Sequence, residues 1–160
     1  MGKICCFTGH REIEAKYLVG MCAWLDRCVE RLVERGYDEF RAGGALGFDT
    51  FAALSVIKAK RNNPHIKLVL MLPCRDQDKY WNGKEKALYE YVKSHADEIT
   101  YSRERYRRGV MNERNRALVD GSDACVAFLK KKRGGTSYTC GYAEKRGLTV
   151  FNIYKKLRTA

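Results

Sequence analysis

The stretch from Met111 to Thr136 limits the folds open to this chain more than any other. It reads as a helix carrying Met111-Asn112-Glu113-Arg114-Asn115, a buried strand Ala124 to Leu129, and a turn Gly134-Gly135-Thr136 that opens a second helix. A strand that ends in a glycine turn and feeds a helix presents backbone N–H groups at one point, with the positive end of the helix dipole behind them. The chain must therefore build that turn at the edge of a sheet. The expectation is a site for a phosphate.

The same order recurs upstream. Ile4 to Phe7 is an apolar run ending in Thr8-Gly9-His10-Arg11, a first strand entering a polar turn. From Ala15 to Arg35, Leu18, Met21, Cys22, Leu25, Val29, Leu32 and Val33 recur at helical spacing, and Gly36 stops the helix. Phe40 to Ala42 runs into Gly43-Gly44-Ala45-Leu46-Gly47-Phe48-Asp49 and a second helix. Lys67 to Leu72 is the most continuous apolar run, as a strand buried on both faces requires. A helix between Gln77 and Ser94, a strand at Ile99 to Tyr101, a helix from Thr136 to Arg146 and a strand from Leu148 to Ile153 complete the pattern.

Strands alternating with helices predict an α/β fold, Rossmann-like and doubly wound, with a mostly parallel sheet and helices on both faces. With 160 residues, 45% of them hydrophobic, residues 1–160 are expected to form one domain. In such a sheet the helices start at the carboxyl ends of the strands. The turns at Gly9, Gly43, Gly47 and Gly135 should then meet on one rim, where ligands bind at the topological switch point.

Composition narrows the partners. No apolar stretch is long enough for a membrane span, and Met1 to Arg11 lacks the apolar core of a signal peptide, so a cytoplasmic protein without membrane association is expected. Seven cysteines, an odd number, fall largely in strand and helix interiors, which suits reduced thiols. No Cys/His spacing fits a metal, and no metal or cofactor is expected. The formal charge of +12 favours phosphorylated or polyanionic partners. Arg103, Arg105, Arg107 and Arg108 crowd one connector, and Lys130 to Arg133 precede the glycine turn. Either run serves as a solvated basic loop or as part of a nucleic-acid stripe.

The rim supplies the candidate ligand residues: Thr8, Gly9, His10, Arg11, Gly43, Gly44, Gly47, Asp49, Arg114, Asn115, Gly134, Gly135 and Thr136. Arg114 shares a helix face with Met111 and Leu118 and so points inward, where a guanidinium needs an acidic or phosphate partner. His10 either donates to an anion or, structurally, caps the next helix or satisfies a loop carbonyl, and Thr136 either adds a hydroxyl to the phosphate site or caps its helix. Asp49 and Glu113 are the carboxylates available for chemistry. Their structural alternatives are a helix cap for Asp49 and a pair with Arg114 or Arg116 for Glu113. Cys74 is the one thiol expected near the rim, with nothing to activate it.

Four motifs in order resemble the YpsA family of the SLOG superfamily: Cys6 to Arg11, Gly43 to Asp49, Arg114 to Asp123, and Gly134 to Thr136 with Tyr142-Ala143. The superfamily also holds DprA/Smf and the LOG phosphoribohydrolases. The resemblance implies a Rossmann-like fold, a pocket for a nucleotide or nucleotide-derived ligand and, from the LOG proteins, a homodimer. LOG enzymes use a Met-x-x-Arg-Lys motif and a Pro-Gly-Gly-x-Gly-Thr-x-x-Glu motif. Met111 and Arg114 match the first, but Asn115 replaces its lysine and Thr139 stands where the second has its glutamate. A threonine cannot stabilise an oxocarbenium-like centre as a carboxylate does, so LOG-type cleavage is not expected. Three functions remain open: a nucleotide-binding sensor or regulatory module, favoured here; a nucleoside-monophosphate hydrolase using Asp49 or Glu113; and a DprA-like binder of single-stranded nucleic acid.

Overall fold

The computed structural model describes residues 2–158. Its strands and helices alternate throughout: β1 (Lys3–Gly9), α1 (Ala15–Glu34), β2 (Tyr37–Ala42), α2 (Phe48–Lys60), β3 (Lys67–Cys74), α3 (Gly83–Ser94), β4 (Glu98–Arg103), α4 (Val110–Val119), β5 (Ala124–Phe128), α5 (Gly135–Lys145), β6 (Thr149–Asn152) and α6 (Ile153–Leu157). The six strands form one sheet in the order β4-β3-β2-β1-β5-β6, and every neighbouring pair is parallel. The expected α/β Rossmann-like fold is thus present. Helix α6 is an element the sequence reading did not contain.

The alternation of side chains along β1 explains the two layers. Cys5 and Phe7 face a large core with Phe40, Leu70, Leu72, Val126 and Phe128, covered by α1, α2, α3 and α6. Cys6 faces the other way and joins Cys125, Leu118, Val119 and Ala143 beneath α4 and α5. Period two in the strands is what sends neighbours to opposite faces. Strand β3 is buried on both faces from Leu68 to Leu70 and again from Leu72 to Cys74, as its apolar run requires.

The chain lays β2, β3 and β4 to one side of β1 and then returns to put β5 on the other. The switch point is the seam between β1 and β5, where Gly9 pairs with Phe128 at the carboxyl end of both strands. The turns after β1, β2 and β5 therefore leave from the same rim. Strand ends differ from the sequence reading mainly at β2, which begins at Tyr37, and at β3 and β4, which reach Cys74 and Arg103. Pro73 lies inside β3 at its end, where a missing N–H costs little ladder bonding.

Candidate functional site

A cavity of about 300 Å³ opens at the switch point. Thr8, Gly9, His10, Arg11, Asp49, Arg114, Asn115, Gly134, Gly135 and Thr136 line it, so ten of the expected residues meet there. Gly43, Gly44, Gly47 and Glu113 do not.

Three of the rim glycines make close protein contacts. A Cβ at Gly9 would lie 2.3 Å from the Phe48 ring, and one at Gly43 would lie 2.6 Å from Arg114 Nη1 and 2.8 Å from Asp49 Oδ2. At Gly47, with φ of 76°, a Cβ would meet the Arg11 carbonyl oxygen at 2.1 Å. This glycine caps α2 while the Phe48 N–H donates to the His10 carbonyl at 3.1 Å, which ties the β1 turn to the start of α2.

The turn into α5 is different. Gly134 holds φ of 101°, and nothing lies within 4 Å of its hypothetical Cβ; at Gly135 the nearest atom is Asn115 Nδ2, at 3.5 Å. No side chain caps α5. Its first N–H groups consequently face the cavity with the helix dipole behind them. Thr136 is a helical residue here, and the cap position belongs to Gly134.

Arg114 is 5% exposed. Its Nη1 donates to the Gly43 carbonyl and to the Met71 carbonyl at 3.3 Å, and its Nε donates to Asn115 Oδ1 at 2.9 Å. The inward direction read from helical spacing holds, and backbone carbonyls from the turn after β2 and from within β3 take up much of the guanidinium. Asp49, also 5% exposed, accepts from the Ala45 N–H at 3.2 Å. Burial pushes its carboxyl up to about 6, opposed by the charge of Arg114 and by the Ala45 N–H. Burial likewise lowers the pKa of Arg114, with Asp49 opposing. The two groups are the buried charge couple of the rim. Asp49 does not cap α2, whose cap residue is Gly47.

His10 accepts. Its Nε2 takes the N–H groups of Lys130 and Lys131 at 2.9 and 3.0 Å, and burial together with those two lysines lowers its pKa. The ring is therefore an anchor for the basic loop before α5, leaving Nδ1 as its one donor position. Glu113 sits outside the cavity and pairs with Arg103 at 3.2 Å, rather than with Arg114 or Arg116. Cys74 is buried, and its thiol is pushed up to about 11, chiefly by burial. Thr139 is 1% exposed and donates to the Gly135 carbonyl at 2.7 Å, behind the turn.

A family model, YpsA, described as the YspA SLOG family, matches residues 5–153. The chain belongs to this family. It is 31% identical over 128 residues to the SPbeta prophage-derived protein YoqJ of Bacillus subtilis (strain 168), covering 72% of this chain and 75% of that protein. It is 33% identical over 118 residues to the UPF0398 protein BH1768 of Halalkalibacterium halodurans, covering 72% of this chain and 62% of that one. Among solved structures, DNA processing protein A of Helicobacter pylori superposes with a TM-score of 0.67 at 19% identity, covering 94% of this chain and 64% of the other. DNA processing protein A (DprA) of Streptococcus pneumoniae gives 0.69 at 19%, covering 94% and 50%. The chain thus spans half to two-thirds of these two structures, and the likeness to them is one of fold.

Within the SLOG fold of this chain, the cavity also draws on residues outside the four motifs. Gln77, from the segment between β3 and α3, lines it and donates to the Gly44 carbonyl at 3.2 Å and to the Tyr89 hydroxyl at 3.1 Å. Nothing in the local sequence marks Gln77, because its position depends on how that segment folds back over the Gly43–Gly47 loop. Met111 and Arg133, also outside the motifs, line the cavity too. Among the described residues no cluster of His, Cys, Asp or Glu could hold a metal ion, and no helix is long and apolar enough to cross a membrane.

Proposed function

We propose that this chain is a binding module for a nucleotide or nucleotide-derived ligand, with a phosphate held at the start of α5. The observation that carries the reading is the uncapped Gly134–Gly135 turn, open to a cavity that also holds Arg114, Asn115 and Thr136. Free helix N–H groups, a hydroxyl and a guanidinium are the donors a phosphate needs, and backbone donors cost no rotamer entropy to position. About 300 Å³ is at the lower end of small-ligand sites, which suits a mononucleotide-sized group. Calorimetry with a panel of nucleoside mono- and diphosphates tests the reading. Binding should be lost when Gly135 is replaced by Leu; equal affinity in the parent and in that variant overturns the site.

A sensor rather than a hydrolase is the better reading of the carboxylates. The position of the LOG glutamate is taken by Thr139, whose hydroxyl is turned back onto Gly135, and Glu113 is paired with Arg103 away from the cavity. Incubation with nucleoside monophosphates should release no base by chromatography. Turnover that vanishes in Asp49→Asn would reverse this conclusion, since Asp49 is the one carboxylate lining the cavity.

The Helicobacter pylori neighbour is described by its single-stranded DNA binding mode, which motivates the nucleic-acid alternative for this chain. At this rim, however, the expected contacts are partly spent. Lys130 is ion-paired with Glu14. Tyr106 is the exposed aromatic of the arginine connector. If this rim binds a polymer, Lys130 to Lys132 changes should weaken affinity as much as a pocket change does.

A further inference from the structure

The opposite rim of the sheet carries a second and larger cavity, of about 490 Å³. It lies where β1, β2, β5 and β6 begin, between the strand ends and the carboxyl-terminal half of α1. Arg27 and Arg31 of α1 and Arg35 at its carboxyl cap line it together with Lys3, Trp24 and Tyr37. Among the described residues no carboxylate lies within ion-pair distance of any of these four cations. Asp123 is the cavity's one carboxylate, and it accepts the Ile4 N–H at 2.8 Å.

Two physical features make this more than a solvated helix face. Like charges four residues apart on a helix repel, so a row of three arginines at that spacing costs stability unless an anion lies along it. The acidic residues nearest the row do not pair with it: Asp26 bonds Lys58 and Ser55 of α2, and among the described residues neither Glu30 nor Glu34, three positions after Arg27 and Arg31, lies within ion-pair distance of an arginine of the row. The favourable interaction of Arg31 and Arg35 with the carboxyl end of α1 accounts for two of the cations and leaves Arg27 and Lys3 unexplained. Aromatic surface lies among the charges. Trp24 is half-buried against Phe151, with ring centroids 5.7 Å apart, and Arg27 stands over Trp24 at 4.7 Å. Lys3 stands over Tyr37 at 5.6 Å.

We infer that this groove binds a single strand of nucleic acid, with phosphates along Arg27, Arg31 and Arg35 and a base on the Trp24 side. Residues four apart on a helix are about 6 Å apart along its axis, a step close to that between phosphates of an extended strand. Cations tracking a backbone beside aromatic faces that accept any base is the arrangement sequence-tolerant single-strand binding requires. The groove is independent of the nucleotide cavity: the two lie at opposite ends of the strands and share no residue.

The test is fluorescence anisotropy of a labelled oligothymidine of 15 nucleotides with the full chain, at several salt concentrations. The triple change Arg27→Ser, Arg31→Ser, Arg35→Ser should weaken binding about tenfold or more and reduce the log–log salt slope by about 2, three single-strand phosphate contacts' worth. These side chains are exposed, so the variant should keep the parent's circular dichroism spectrum. The pair Lys131→Ser, Lys132→Ser should change affinity less than threefold or so. In a Trp81→Phe background, leaving Trp24 as the single tryptophan, the oligonucleotide should quench emission and inorganic polyphosphate should not. The inference is overturned if the oligonucleotide does not bind, if the lysine pair loses more affinity than the arginine triple, or if polyphosphate matches the oligonucleotide in affinity and quenching.

Discussion

Two glycine turns leave the same rim of this sheet, one after β2 and one after β5, and they do opposite things. The Gly43–Gly47 turn is full of protein: Arg114 and Asp49 press on Gly43, the Leu72 methyl lies 2.3 Å from a Cβ placed at Gly44, and the Arg11 carbonyl abuts Gly47. The Gly134–Gly135 turn is empty on its outer side. In the first, glycine lets chain approach chain. In the second, it leaves backbone donors uncovered. A run of glycines after a strand thus signals close approach, and the neighbours decide whether the approaching body is protein or ligand.

The comparison breaks most visibly at the buried charge couple beneath the first turn. Arg114→Ala should cost about 3–5 kcal/mol of unfolding free energy in a urea titration, because it leaves the Gly43 and Met71 carbonyls without their donor and empties the space of a buried long side chain. A loss below 1 kcal/mol, roughly that of an exposed site, would show that Arg114 serves the ligand alone.

Gly47→Ala comes next. The added carbon meets backbone, which cannot swing aside, at a positive φ, so a cost of about 3–4 kcal/mol is expected from overpacking and left-handed strain together. Thermal unfolding of the two alanine variants, Gly47→Ala and Gly135→Ala, compares the turns directly.

The pH dependence follows from Asp49. Its carboxyl titrates at about 6 in the fold, against 3.8 when free, so between those values the folded chain holds a proton that the unfolded chain has released. Its contribution to stability is full below about pH 4, declines as pH rises towards 6 and is flat above. A shift of about 2 units corresponds to on the order of 2–3 kcal/mol. Asp49→Asn should gain on the parent by that amount between pH 4 and 7, and carbon NMR of the Asp49 carboxyl should show a midpoint near 6. A midpoint below 4 would mean that Arg114, not burial, governs this group.

The smallest effect on stability is expected at the open turn. Gly135→Ala has room, with only Asn115 at 3.5 Å, and alanine is the better helix former, so stability should hold or rise by less than about 1 kcal/mol. Nucleotide affinity should nonetheless fall about tenfold, since the methyl group covers the donors. Stability lost without affinity lost would make this turn a structural one like its neighbour.

Much of the fold was legible in the chain. Apolar runs of strand length separated by helical spacing predict the order of elements, and the parallel sheet follows because each strand is joined to the next through a helix. The inward direction of Arg114 was readable from Met111 and Leu118 at three- and four-residue spacing, and the family from four ordered motifs. These are local properties, set by periodicities within one element or by the residues of one turn.

What the tertiary structure alone decided is who meets whom. Periodicity says that Arg114 faces inward; that it reaches Gly43 and Met71 depends on α4 crossing the sheet from the β4 side. His10 had several open roles, and it instead accepts from the Lys130 and Lys131 N–H groups of the loop because Gly9 pairs with Phe128 across the switch seam. Glu113 faces Arg103, on a strand seven residues before its helix, rather than its helical neighbours. Gln77 enters the cavity from a segment with no motif at all. Helical and strand spacing fix direction within about a turn, but a contact between segments up to 121 residues apart is set by strand order and register, which no single stretch of sequence encodes.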